Sequence, residues 1–336
     1  MRKNILRMLP VLLAVLLLGS GTALWLNGRS PASGSGAAEE TADASTGVSG
    51  EKAGEQTETE GSSDSSGVET SGGDVQSDGT EQIEQSESGQ ALHVTVLGDS
   101  IAKGYSGNKE IEIECYGSLA AQQISEEAGE PYSYQNFAKN GLDSAGMNEK
   151  ILSREDVQES IASADIIFIT LGSNDLLNEC KSVVQEILNT DKKFRSADDA
   201  LEVLEDAVKE NPFLILKIIS ALSNWDYHSF ETQWISMMDT VCSLKKEDAA
   251  ILVTNIYNPV ANLELPSTMN QVVEDIIGNM NSIIDDHAAG YGYCVADLFG
   301  SEISEHVQDD GLHPDQEGQQ LISDIVCEEY KTLSQE

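Results

Sequence analysis

Between residues 91 and 336, five short apolar runs alternate with longer stretches of helical periodicity. The runs are LHVTVL (92–97), YSYQNFA (132–138), DIIFITL (165–171), AAILVTNI (249–256) and YGYCVADL (291–298). Several are apolar on both faces, the pattern of parallel strands covered by helices on each side. YGSLAAQQISEEAG (116–129) has helical spacing, and Ser153 with Asp156 forms a capping-box-like start for a helix reaching about residue 163. The stretch 267–290 predicts a long amphipathic helix ending in glycine, and 314–333 opens on proline and acidic residues, which suit a helix N-terminus. This alternation predicts an α/β domain with a five-stranded parallel sheet. Between Leu176 and Lys245 there is only helical text, including ADDALEVLEDAVKE (197–210) and NPFLILKIISALSNW (211–225). A helical insertion at about 176–245, after the third strand, is expected. Its apolar run is either core or a lid, and apolar helical stretches are more often core.

The pattern before residue 91 is different. Arg2, Lys3 and Arg7 precede LPVLLAVLLLGSGTALWL (9–26), a basic front end before about 18 apolar residues. Residues 1–27 therefore read as a cleaved signal peptide or an uncleaved membrane anchor. Gly21-Thr22-Ala23 is a candidate cut site, and no cysteine stands near its end to suggest a lipoprotein. Either alternative puts the rest of the chain outside the cytoplasm, extracellular or tethered at the cell surface. Residues 28–90, rich in Gly, Ser, Thr and Glu, bury almost nothing and predict a disordered acidic linker. Contact with a membrane is expected only through an uncleaved N-terminal segment.

The formal charge of −39 over 336 residues argues against nucleic acid and against binding anionic lipid by charge. The five cysteines (Cys115, Cys180, Cys242, Cys294, Cys327) are scattered with no CxxC pair, so neither a disulfide framework nor a zinc site is expected. They suit small core positions.

Parallel sheets place their sites at the carboxyl ends of the strands. The first strand ends in Gly98-Asp99-Ser100, the second leads through Asn136 to Gly141, and the third ends in Gly172-Ser173-Asn174-Asp175. Asp309-Asp310-Gly311-Leu312-His313-Pro314 precedes the last helix. Each is weak alone, since a strand can end in a plain turn. Together they supply the parts of acyl transfer. A serine hydroxyl is a poor nucleophile without an adjacent imidazole, which makes Ser100 the candidate nucleophile and His313 its base. Asp310 can hold the imidazole tautomer, with Asp309 as its rival. The backbone N–H groups of Ser100 and Gly141 and the Asn174 amide are candidate oxyanion donors. Asp99 and Asp175 read as residues that orient loops. His93, His228, His287 and His306 lack a partner pattern and read as structural or surface residues. The carboxylates have no histidine at ligand spacing, so no catalytic metal is expected.

This arrangement resembles the SGNH hydrolase family, the GDSL esterases and lipases. The four residues that name the family correspond to Ser100, Gly141, Asn174 and His313, in that order, over about residues 92–330. The first motif reads GDSI where the family nickname has GDSL. Asn255-Ile256-Tyr257-Asn258-Pro259 looks like the YNP signature of a bacterial secreted subgroup with a helical insertion. The resemblance implies a flavodoxin-like three-layer α/β/α sandwich and ester hydrolysis through an acyl-enzyme, without metal or cofactor. Its Asp-x-x-His pattern favours Asp310. The expected function is an extracytoplasmic serine esterase or lipase acting on a small-molecule, lipid or acylated glycan ester. Alternatives are a carbohydrate O-acetyl esterase, an acyltransferase using the same residues, and a non-catalytic binding module.

Overall fold

Strand β3 (Ile166–Thr170, IIFIT) is buried at every position, and it lies in the middle of the sheet. This computed structural model describes residues 91–189, 203, 206–259, 261 and 267–334. Its five strands are β1 (Leu92–Gly98), β2 (Tyr132–Asn136), β3, β4 (Ala250–Thr254) and β5 (Cys294–Ala296). They pair in parallel in the order β2-β1-β3-β4-β5, the flavodoxin-like order in which successive crossovers reverse direction beside β1.

Alternation along each strand sorts the core into two layers. Leu97, Ile167, Ile169, Ile251 and Val253 face one side. There they meet α4 (Glu155–Ser163), α5 (Ser173–Ile187), α7 (His228–Leu244) and α8 (Ser267–Tyr291). Val94, Val96, Ile166, Phe168 and Leu252 face the other side, against α2 (Tyr116–Ala128) and α9 (Gln316–Leu333). The expected three-layer sandwich is thus the observed one. Two short turns, α1 (Ser100–Lys103) and α3 (Ser144–Gly146), follow β1 and β2.

Several boundaries differ from the sequence reading. The second strand stops at Asn136 because its Oδ1 accepts from Ala138 N–H at 2.9 Å and turns the chain. The fifth is confined to Cys294–Ala296, since α8 runs on to Tyr291 and the N–H groups of Gly292 and Tyr293 both donate to Ala288 O. Ser153 and Asp156 do not form a capping box. The chain reaches α4 through a π-turn (Met147–Ile151), the Ser153 hydroxyl donates back to Glu149 O, and Asp156 pairs with Arg154, which occupies the cap position.

Among the described residues, 176–245 hold helices and no strand, as expected. Part of the 197–210 stretch lies outside them, as do the N-terminal hydrophobic segment and the acidic linker. No described helix is long and apolar enough to cross a membrane. The apolar run at 211–225 forms α6 (Leu214–Ser223), a helix with two different faces. Ile218 and Leu222 are buried in the core, whereas Phe213 is 71% and Leu216 61% exposed. The inner face is core, as the sequence reading favoured. Leu222→Ala should therefore cost about 2–5 kcal/mol, and Leu216→Ala at most about 0.5 kcal/mol. Denaturant midpoints of the two variants check this, and equal midpoints would remove α6 from the core.

Candidate active site

Ser100 owes its position to the residue two before it. At Gly98 an added Cβ would lie 2.5 Å from Thr170 O and 2.7 Å from the Ala102 Cβ, so only glycine lets β1 press against β3 here. Asp99 N–H then donates to Thr170 O (3.1 Å), and the Asp99 carboxylate accepts from Ile101 N–H (2.9 Å) to start α1. Ser100 is left at the head of that turn, nearly buried. Burial pushes the Asp99 carboxyl up to about 6, against the pull of the Ile101 N–H, the His313 ring and the Asn174 amide.

His313 reaches Ser100 from the far end of the chain. Its Nε2 is 2.9 Å from Ser100 Oγ, and its Nδ1 is 2.7 Å from Asp310 Oδ2. With a carboxylate at Nδ1, the proton belongs on Nδ1, and Nε2 can accept the serine hydroxyl proton. Asp310 Oδ1 also accepts from the N–H groups of Leu312 and His313, each at 2.9 Å. Burial works against its ionised form, but these hydrogen bonds and the His313 ring hold its carboxyl below the usual value. Asp309 is exposed, and the carboxylate that meets the His313 ring is that of Asp310.

The segment carrying both residues is a hook. It is closed by an antiparallel bridge between Val307 and Pro314 and by Gln308 N–H donating to His313 O at 2.8 Å. The Gln308 side chain donates to Tyr105 O and Pro314 O and accepts from Gly107 N–H, which ties the hook to the loop after α1. The Tyr105 ring packs on His313 with centroids 4.4 Å apart, and the Tyr257 hydroxyl donates to Leu312 O. Sequence reasoning gave no role to Tyr105, Tyr257 or Gln308. Tyr257 at least lay in the Tyr-Asn-Pro stretch, but the other two carry no local signal.

Gly141, on the turn after β2, and Asn174, in the first turn of α5, stand on segments stitched together. Leu142 N–H donates to Lys139 O, and Gly141 has φ +72°, the third position of a type II turn, which favours glycine. A Cβ there would meet nothing within 4 Å, so the backbone conformation and not crowding selects the residue. Asn174, buried, does not hold an idle amide. Its Nδ2 donates to Leu142 O at 3.0 Å and, less closely, to Asp99 Oδ2 at 3.3 Å. The next residue, Asp175, accepts from the Ser144 N–H and hydroxyl, and Asn178 donates to Asp143 at 2.8 Å. Asp99 and Asp175 thus orient loops, as expected.

Ser100, Asn174 and His313 all line one pocket. Gly141 does not line it and is exposed, on the turn that joins β2 to α3. His93 bonds Ser133, His287 meets Glu231, and His306 meets Glu317, all away from these residues. A serine hydroxyl, an imidazole bonded to a carboxylate, and a tethered amide come together here, the groups that attack on a carbonyl would need.

Burial pushes the Asp175 carboxyl up to about 7, opposed by the Ser144 hydrogen bonds and reinforced by the Asp143 charge. A carboxyl raised on folding binds its proton more tightly in the folded state. Stability is then highest below the unfolded value and falls as pH rises from near 4 through about 7. Asp175→Asn keeps an acceptor for the Ser144 N–H and cannot ionise. The thermal midpoint of the variant should therefore fall less between pH 5 and pH 8 than that of the parent protein. Melting curves at both values check this, and parallel falls would mean that Asp175 does not titrate in the range.

The GDSL-like lipase/acylhydrolase family model matches residues 94–326, from the first strand into the last helix. The uncharacterized protein YpmR of Bacillus subtilis (strain 168) is 24% identical over 261 residues, covering 76% of this chain and 88% of its own. Among solved structures, the lipase Lip_vut3 from a goat rumen metagenome is 18% identical with a TM-score of 0.47, over 70% of this chain and 95% of its own. Phospholipase A1 from Streptomyces albidoflavus NA297 gives 15% and 0.46, over 71% and 100%. A carbohydrate esterase family 3 enzyme from Talaromyces cellulolyticus gives 16% and 0.43, over 73% and 98%. On a family match that spans well over half of its length, the chain belongs to the GDSL-like lipase/acylhydrolase family of ester-hydrolysing enzymes.

Proposed function

We propose that this chain is an extracytoplasmic serine esterase in which Ser100, His313 and Asp310 form the catalytic triad. The observation that carries the reading is the unbroken hydrogen-bond chain from Asp310 through His313 to Ser100 at a pocket mouth. As Ser100 Oγ bonds to the ester carbonyl carbon, His313 Nε2 takes the hydroxyl proton and Asp310 stabilises the charged ring. The electron pair moves to the carbonyl oxygen, where the N–H groups of Ser100 and Gly141 and the Asn174 amide receive it. Asn174 keeps its bond to Leu142 O and exchanges its longer contact with Asp99 for the oxyanion. The carbonyl then re-forms, the bond to the alcohol oxygen breaks, and His313 returns the proton to that oxygen. Water, deprotonated by His313, releases the acid from Ser100 in a second passage through the same states.

The extracytoplasmic location rests on the basic and apolar pattern of residues 1–27, followed by the acidic linker. A reporter that folds only outside the cytoplasm, fused after residue 90, should be active, and an inactive but expressed fusion would reject export.

Ser100→Ala should fold and lose nearly all esterase activity and all labelling by a fluorophosphonate. His313→Ala should lose a similar amount, and the double variant little more, because nucleophile and base act as a unit. Losses that multiply in the double variant would break the assignment, while an unlabelled native Ser100 would favour a binding module. Asp310→Asn should cost far more than Asp309→Asn, toward the ~10⁴ known for a wrong imidazole tautomer in a serine protease. Asn174→Ala should lower kcat by about 10²–10³ with little change in KM. An unchanged kcat with a lower melting temperature would leave Asn174 only its tie to Leu142.

A further inference from the structure

We propose that Gln319 is a positioning residue, whose buried carboxamide holds the turn bearing Ser100 at working distance from His313. The inference rests on the serine-esterase reading above. Gln319 lies in the first turn of α9, shortly after His313, and is fully buried. Its Nε2 donates to Ile101 O at 3.0 Å, and its Oε1 accepts from Tyr116 N–H at 2.8 Å. Ile101 directly follows Ser100 in the chain. One side chain from the segment that carries the base thus grips the backbone beside the nucleophile. A buried amide left unbonded is costly, so this one is held to both partners.

Each end of the amide meets a backbone group that needs a partner. Turn α1 has only four residues, so its carbonyls lack the N–H groups that a longer helix would supply. Ile101 O also receives Gly104 N–H, at 3.2 Å, and Ala102 O is met by the Asn136 amide at 2.9 Å. Helix α2 starts at Tyr116 with no side-chain cap from Cys115, and the Gln319 oxygen takes the place of one. Tyr116 is itself fixed, its hydroxyl 2.7 Å from the Thr170 hydroxyl on β3. On the other side, α9 is seated on the hook. A Cβ at Gly318 would lie 2.3 Å from His306 O and 2.9 Å from the Pro314 Cβ, and Asp315 N–H donates to His306 O at 3.0 Å. His313 and Gln319 therefore belong to one packed unit, and Ser100 and Ile101 to another. A displacement of α1 against α9 passes directly to the 2.9 Å contact between Ser100 Oγ and His313 Nε2.

The test uses the full chain and a fluorophosphonate. Ser100 Oγ bonds to phosphorus, the P–F bond breaks, fluoride leaves, and the hydroxyl proton passes to His313 Nε2. The end point counts folded sites, and the rate per site reports how well Ser100 and His313 are aligned. Gln319→Met fills the same space and removes both bonds. Its labelling rate per site should fall by about 10–100-fold, the scale of a small misplacement of reacting groups. Its kcat on p-nitrophenyl acetate should fall in proportion, with little change in KM. Gln319→Glu keeps the acceptor for Tyr116 N–H but can donate to Ile101 O only while its carboxyl holds a proton. Burial raises such a carboxyl toward the neutral range. The labelling rate of the Glu variant, divided by that of the parent at the same pH to cancel the titration of His313, should therefore drop between pH 6 and pH 9. A Met variant with fewer sites but the parent's rate per site would make Gln319 a stability residue and overturn the proposal. So would a Glu variant whose relative rate does not fall with pH. A native Ser100 that is not labelled at all would instead bring down the serine-esterase reading itself.

Discussion

A serine hydroxyl becomes a useful nucleophile only while an imidazole nitrogen stays within hydrogen-bond reach, and here the two residues lie 213 positions apart. The rest of the structure serves that one contact. Ser100 is referred to the centre of the sheet, since β1 is paired on both sides and Gly98 packs directly on the β3 backbone. His313 is referred to the same place by a hook whose own bridge is only one pair long. Such a hook would swing if left alone. Gln308 prevents this by satisfying backbone groups on both the hook and the loop after α1, so His313 is anchored to the segment that follows Ser100.

Three carboxyl groups surround the contact, and their environments drive them apart. Asp310 collects the His313 ring and two backbone N–H groups, enough to hold it ionised in spite of burial. Asp99, next to Ser100 in the chain, has one backbone donor and one long amide contact, and burial dominates. Asp175 is likewise governed by burial, and it sits near Asp143. In a chain of formal charge −39, the ionised carboxyl beside His313 is therefore selected by donors, not by an absence of competitors. The others accept hydrogen bonds that tie loops together, and burial, not those bonds, raises their carboxyls.

How much of this was legible in the sequence follows from how local each feature is. Strand β3 announces itself because a strand covered on both faces is apolar along nearly its whole length, here from Ile166 to Ile169. The edge strand β2 alternates between half-buried and exposed residues, and its end was misplaced because an asparagine side chain, not a change in hydropathy, turns the chain. The capping box failed for a similar reason, since the Ser153 hydroxyl found an acceptor one turn earlier in a π-turn that no periodicity reveals. The residues that touch at the site were readable because strand ends in a parallel sheet converge whatever the strand order. Tyr105 and Gln308 were not, because they act through partners more than 200 residues away.

Helix α5 shows why site and specificity need not be separate inventions. Gly172, the residue that leads into α5, lies beside Ile256, which lines the pocket, and a side chain at 172 would strike it at 2.7 Å. The helix that starts there is consequently pressed onto the sheet from its first residue. Its second residue, Asn174, is tied to the Leu142 carbonyl, its third, Asp175, holds Ser144, and its sixth, Asn178, holds Asp143. The positions between these ties, Leu176 and Leu177, turn inward to the pocket. The first two turns of α5 thus carry both the Asn174 amide and the apolar wall beside it. A shift of α5 large enough to reshape the wall would also break three ties to the 139–146 loop.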